Sequence, residues 1–472
     1  MGLPVCSRHI ALFSQQYLMS GTNRVFVTGL GIVSSAGCGV ERFWSGCKAG
    51  ANLVSEVPAH WSEYYRSTSR VWAPLPEPDY SQYGLGKTDL LTLGKPAALA
   101  IVAAQQALTV AGIGVNRQAG RYPVAQLESI AGPRAGVFIG TGLGAAQAPF
   151  NNYYAHLLGG LKAHLESAVA NEASLSLLSE LRAGLREHPR VNPLVICQTM
   201  PNAIAASLAI RFGIQGPSDT VCAACASGTI AIGKAFHAIR HGTLEFALTG
   251  GAEHLADRAG GVFMGFDRLQ TLAKPLRGIG TENRPFDRER SGFLFSEGGA
   301  AIAVLESEMS VRRRGVQPIA EVIGFAETTD AYSMAAIKDG ANEIGTMIDL
   351  ALGDAGVPAH LIDYVNAHGT STEVNDAVEA RIIEQKFRPT TKVNSTKSIL
   401  GHSIGAAGAF EFAVTALSLR DQELHLSKNL DEPIADLDFC RETGPASLEH
   451  AFTQSFGFGG HNAGLVLRRA QH

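Results

Sequence analysis

The chain has 472 residues, enough for one large two-lobed body or for two to three average domains. Its composition, 46% hydrophobic and 17% charged, is that of a compact globular protein, and its net charge of −4 leaves no electrostatic footprint for nucleic acid. No apolar run reaches the roughly 18 residues of a membrane span, and seven irregularly spaced cysteines do not make a secreted disulfide framework. A cytoplasmic setting is the default expectation.

Residues 1–22 carry no strand or helix pattern and are expected to lie outside the fold as an N-terminal extension. Folding signals begin at "NRVFVTGLGIVSSAG", a β-branched strand running into a glycine-containing turn. "AGVFIGTG" (136–142) reads as a strand entering a turn. Residues 151–192 break the rhythm: they are amphipathic and charged, and are expected to form an inserted helical cap. "NAIAASLAIRFG" (202–213) is an apolar helix ended by Gly213, and "EFALTGGAE" (245–253) is a further strand. Strand and helix patterns then alternate through "GAAIAVLES", "PIAEVIGFAET", "NEIGTMIDLALGDAGV" and "IDYVNAHGT" to a last strand, "AGLVLRR" (463–469). Continuous apolar strands alternating with helices predict buried, largely parallel sheets covered by helices. The two "TGLG" stretches, at 28–31 and 141–144, lack the full dinucleotide-binding pattern and read as tight-turn glycines. No sequence repeat is convincing.

The chemistry concentrates around "DTVCAACASGTIAIGKAFHAI", residues 219–239. Apolar positions from Ile230 to Ile239 share one helical face, which puts Cys225 at the strand-to-helix junction. Free N–H groups and the positive end of the helix dipole there favour a thiolate and could cradle an oxyanion. Two readings stay open: a nucleophile, or a buried cysteine acting as a small hydrophobe. Cys222 completes a CxxC, but a zinc site usually needs two such pairs and only one exists. A thioredoxin-like redox pair would sit in a much smaller domain. No metal is expected, and Cys222 is expected to pack in the strand.

A nucleophile needs a proton-handling partner. Among 15 histidines, His368 in "NAHGTSTEVND" and His402 in "STKSILGHSIGAAGAFEF" each stand beside glycine at an element end. One such histidine is more often structural; two together shift the balance toward chemistry.

The ordered set "CAACASG", "NAHGTST", "STKSILGHSIGAAG" and "SFGFGGHNA", extended by "VTGLGIVSSAG" and "NRPFDRERSGFLFSEGGA", resembles the β-ketoacyl-acyl-carrier-protein synthases of the elongating, Cys-His-His type. The resemblance covers residues 23–470 apart from the 151–192 cap. It implies a thiolase-like α/β fold, a five-layered α-β-α-β-α body of two similar halves, here 23–305 and 306–472. It also implies a homodimer that works with an acyl-carrier protein and needs no cofactor. Carried over by position, Cys225 holds the acyl chain, and His368 and His402 bind the malonyl thioester carbonyl and stabilise its enolate. The Cys225 and Phe458 N–H groups form the oxyanion hole, with Phe458 also a gate. Lys397 sets the electrostatics of the histidine pair with Glu411 as its ion partner, and Thr370 and Thr372 contact the pantetheine arm.

The chain departs from the family pattern at His461, Ser291, Ser333 and Ala335, which points to a specialised pathway. A thiolase would need a second catalytic cysteine, for which only Cys440 is late enough, in polar surroundings. Priming synthases carry asparagine where His402 stands, and non-catalytic partner subunits lack the cysteine. An acidic carrier would want a basic patch at the pocket mouth, for which Arg66, Arg70, Lys274 and Arg277 are the candidates.

Overall fold

The computed structural model describes residues 22–471 except 63–65, 119–123, 147, 152–191, 339 and 341. The expected extension over 1–22 and the expected cap over 151–192 lie outside the described residues, apart from Thr22, Asn151 and Asn192.

Ten consecutive buried residues, Val25–Ser34, form β1. The first "TGLG" lies inside this strand rather than in a turn, because its glycines make room for a helix. A Cβ on Gly29 would come within 2.1 Å of the Ala107 carbonyl oxygen, and one on Gly31 within 1.8 Å of that of Ala103. Both carbonyls belong to α1, Lys95–Val110, whose alanines let helix and strand backbones touch. The second "TGLG" is the turn that sequence suggests, following β2, Ala135–Gly140, with Gly144 at a φ of 59°.

Next come α2 (Ala203–Phe212), β3 (Ser218–Val221), α3 (Ser227–Arg240), β4 (Phe246–His254) and β5 (Gly298–Ser307). The second half brings β6 (Ala320–Thr329), α4 (Asn342–Ala355), β7 (Tyr364–Asn366), α5 (Glu373–Lys386) and β8 (Lys392–Asn394). It closes with α6 (Ala407–Asp421), β9 (Asp438–Phe439), β10 (His450–Gly457) and β11 (His461–Arg469).

The main sheet runs β9-β8-β7-β10-β11-β6-β1-β5-β4-β2-β3. Its two wings pair in parallel, but the middle, from β10 through β11, β6, β1 and β5 to β4, is antiparallel. This corrects the expectation of largely parallel sheets. A strand buried on both faces reads as continuously apolar whichever way its neighbours run, and β1 and β5 are buried throughout.

The two ends of this sheet fold over one central layer. Helix α3 packs on β2 and β4 and also on β6 and β11, while α6 packs on β10 and β11 and also on β4 and β5. Outside them, α1 and α2 cover the first half, and α4, lying against α5, covers the second. The order α-β-α-β-α is therefore present, with the N-termini of α3 and α6 meeting at its centre.

Candidate active site

Strand β3 ends at Val221, and a single 3-10 turn, Ala224–Ala226, carries the chain into α3. Ala224 has a φ of 47°, a left-handed conformation that a side chain tolerates poorly and that turns Cys225 back into the core. Cys225 is buried, whereas Cys222 is exposed and lies past the end of the strand. The packing expected for Cys222 inside the strand is thus not found, because β3 stops one residue earlier.

Burial dominates the acidity of Cys225: the thiol is pushed up to about 12, while the Lys397 charge and a hydrogen bond from the Phe458 N–H pull the other way. The favoured thiolate read from the helix terminus is overruled by this desolvation, so the resting group is a thiol that must hand off its proton. An acceptor is in place, since the Nε2 of His402 lies 3.0 Å from the Cys225 sulfur.

His402 follows a short helix, Lys397–Leu400, and Gly401, whose φ of 73° reverses the chain. His368 lies two residues beyond β7, where two buried carboxylates from α5 tie down the loop. Glu379 accepts from the backbone N–H groups of His368 and Gly369, both at 2.7 Å, and Asp376 from those of Thr370 and Ser371. The two imidazoles meet edge to face, 5.6 Å apart. The Cys225 sulfur and one nitrogen of each ring all lie within 4.8 Å of one another.

Lys397 closes the constellation. Its ammonium lies 3.1 Å from His368 Nδ1, donates to the His368 carbonyl at 2.7 Å, and pairs closely with Glu411. An ammonium has no lone pair, so Nδ1 of His368 must accept and Nε2 carries the hydrogen. Burial first, then the Lys397 charge, holds both histidines well below the ordinary imidazole range. Both are neutral at physiological pH: His368 is a donor through Nε2–H, whereas His402 presents a bare Nε2 to the thiol. The same three side chains have the spacing of a metal-ligand set, but the Lys397 charge and the protonated thiol both oppose a bound cation.

These groups open onto a cavity of about 580 Å³ lined by Cys225, His368, His402, Thr370, Thr372 and Phe458, among others. The hydroxyls of Thr370 and Thr372 are 2.9 Å apart. Phe458 follows β10, where a Cβ on Gly457 would lie 3.2 Å from the Cys225 nitrogen; only glycine lets this loop reach the thiol turn. Ser291, Ser333 and Ala335 also line the cavity, and Lys274 stands exposed at its rim. His461 heads β11 behind the Phe458 loop. Arg66 and Arg70 are exposed, and Arg277 pairs with Glu289. Cys440 is buried away from the cavity, so among the described residues no second thiol of the thiolase kind lines it.

Sequence reasoning missed Glu253. This carboxylate on β4 accepts from the N–H groups of Gly142 and Leu143 in one half and Gly405 in the other, with the Thr141 hydroxyl as a fourth donor. An acid two residues after the strand glycines of "ALTGGAE" was the available signal.

The sequence matches the beta-ketoacyl synthase N-terminal domain over residues 22–309 and the C-terminal domain over residues 319–431. The chain belongs to the beta-ketoacyl synthase family. Among its relatives, 3-oxoacyl-[acyl-carrier-protein] synthase 2 of Vibrio cholerae is 33% identical over 458 residues, covering 94% of this chain and 99% of the relative. The ishigamide ketosynthase/chain length factor superposes with a TM-score of 0.78 at 27% identity, over 96% of this chain and all of the other. A type II PKS ketosynthase, solved in complex with its acyl-carrier protein and bound to the hexaketide, gives 0.79 at 26% identity over 95% and 100%. The fold is the thiolase-like one of ketosynthases, and the chain is an acyltransferase-class enzyme.

Proposed function

We propose that this ketosynthase condenses an enzyme-bound acyl group with malonyl-acyl-carrier protein, releasing CO₂ and forming 3-oxoacyl-acyl-carrier protein in fatty-acid or polyketide-like elongation. One observation carries the reading: a buried thiol and two neutral imidazoles converge at the inner end of one cavity.

In the first stage Cys225 attacks the acyl thioester, its proton passes to His402 Nε2, and His402 returns that proton to the carrier thiolate as it leaves. In the second, the malonyl thioester oxygen accepts hydrogen bonds from His368 Nε2–H and from His402, whose ring hydrogen now sits on Nε2 in place of Nδ1. The bond to the carboxylate breaks, CO₂ departs, and the electron pair remains as an enolate held by these donors in a dry site. The enolate carbon then attacks the acyl carbonyl on Cys225. The N–H groups of Cys225 and Phe458 hold the resulting oxyanion until the Cys225 thiolate is expelled and reprotonated. Lys397, balanced by Glu411, fixes the His368 tautomer; Thr370 and Thr372 hold the pantetheine arm, and Phe458 gates it.

We read the chain as halves 23–305 and 306–472, and as a homodimer acting in the cytoplasm. Light scattering that finds a monomer at working concentration would remove the dimer. Charge reversal at Arg66, Arg70, Lys274 and Arg277 should weaken carrier binding in a salt-sensitive manner, and unchanged binding would discard that patch. The central test is incubation with radiolabelled acyl-acyl-carrier protein. The intact enzyme acquires label and Cys225→Ala does not; equal labelling of the two defeats the reading.

A further inference from the structure

The stretch "HAIRH", residues 237–241, sets one histidine in the last turn of α3 and another at its cap, a spacing that puts both on one helix face. Cys225 stands just before the other end of the helix, about 20 Å away at 1.5 Å per residue, so the pair takes no part in condensation. The two rings lie 5.5 Å apart between centroids, tilted by 37°. With zinc–nitrogen bonds of about 2.1 Å, two imidazoles on one tetrahedral ion have ring centres about 5 Å apart. Phe325 on β6 meets the His237 ring edge to face at 5.4 Å and limits its freedom.

Asp354, in the last turn of α4, comes up against this pair from the second half of the chain. Its Oδ2 lies 3.7 Å from His237 Nε2 and accepts from Arg240 at 2.8 Å and from the Phe325 N–H at 3.0 Å. Among the described residues its Oδ1 has no protein partner. The negative ends of α3 and α4 therefore converge on one half-exposed spot, which favours a cation. Burial first, against the pull of Asp354, holds His237 below the ordinary imidazole value, so its lone pair is free at neutral pH.

We propose that His237, His241 and Asp354 bind a divalent transition-metal ion such as zinc, clamping the C-terminal end of α3 to α4. Two imidazoles and a carboxylate suit zinc rather than calcium or magnesium, with water in the fourth position. As they stand the three donors do not all lie within 4.8 Å of one another. His241 is exposed and completes the set by turning its ring. Arg240 stays on Oδ2, and its charge keeps the affinity below that of a site built from thiolates. The expectation of no metal came from the single CxxC and did not weigh this pair.

The test is calorimetric titration of the intact enzyme with zinc chloride. Iodoacetamide first blocks Cys225 and the exposed Cys197 and Cys222, so that thiols do not compete for the metal. One ion should bind, and His237→Gln and His241→Gln should each weaken it at least about tenfold. Zinc should also raise the melting temperature of the wild type but not that of His241→Gln. Both side chains reach solvent, so either variant should fold, and its melting temperature without zinc checks this. No heat of binding in the wild type, or equal binding by the wild type and both variants, overturns the site. Binding that leaves the wild-type melting temperature unmoved overturns the clamp.

Discussion

The chain enters α3 as Cys222-Ala223-Ala224-Cys225-Ala226-Ser227-Gly228 and enters α6 as His402-Ser403-Ile404-Gly405-Ala406-Ala407-Gly408. The third residue of each stretch is left-handed, with φ of 47° at Ala224 and 48° at Ile404. A 3-10 turn begins on that residue and ends on an alanine at φ −87°, directly before the first helical residue. The seventh residue in each case is a glycine against the other helix. A Cβ on Gly408 would lie 2.1 Å from the Thr229 hydroxyl, and one on Gly228 would lie 2.9 Å from the Ala409 nitrogen. The backbone is copied, but the chemistry is not. Position one holds an exposed thiol in the first turn and the His402 imidazole in the second; position four holds the buried thiol in the first and only hydrogen in the second. Crossing the two helices at their glycines brings position one of the second turn onto position four of the first. A ketosynthase site thus needs just one of the two symmetric encounters to be furnished.

Four measurements would break or sharpen this comparison. Cys225→Ala should lower condensation at least about 10⁴-fold, because no other group replaces the nucleophile. Gly408→Ala keeps every reacting group but forces α3 and α6 apart, and an ångström-scale displacement should cost about 100-fold in kcat with acyl-group loading less affected. Wild-type kcat in that variant would show that the glycine contact does not set the geometry.

The third concerns pH. Three imidazoles that burial keeps from protonating lie on the His402 side: His368, His402, and His425, which burial holds down to about 4. Below about pH 6.5 the unfolded chain binds protons that these native imidazoles refuse, so their contribution to stability is complete above that pH and is lost as acid is added. Glu253 and Glu379, raised by burial to about 7, contribute with the opposite sign. His425 alone should account for about 3 kcal/mol by pH 4, because each tenfold loss of proton affinity on folding is worth about 1.4 kcal/mol. Urea titrations at successive pH values check this, and His425→Asn should flatten the slope. The fourth and smallest is Cys222→Ala, expected to change activity by less than about twofold, as suits an exposed surface position. A large loss there would revive the CxxC redox reading.

Much of the site was legible because its motifs pair a reactive side chain with the glycines that give it access, as in "NAHGT" and "GHSIG". The direction of the strands was not, since β1 and β5 are buried on both faces and carry no alternation to read. The repeated turn escaped because its two copies share only an alanine at position five and a glycine at position seven; what repeats is a set of backbone angles. Glu253 and Glu379 were hidden for a related reason: their partners are main-chain N–H groups, which leave no residue-type signature. The acidity of Cys225 was misjudged because a helix terminus is visible in one segment, whereas the desolvation that outweighs it comes from elements far apart in the chain.

Glu253 has a consequence for how the molecule opens. Its two oxygens hold amides at Gly142 and Leu143, in the loop after β2, together with the amide at Gly405, in the 3-10 turn before α6. Neither lobe can melt by itself without stranding a buried carboxylate or its donors. Hydrogen exchange at these three amides should therefore keep pace with global unfolding, and the enzyme should lose both reactive turns in one cooperative event.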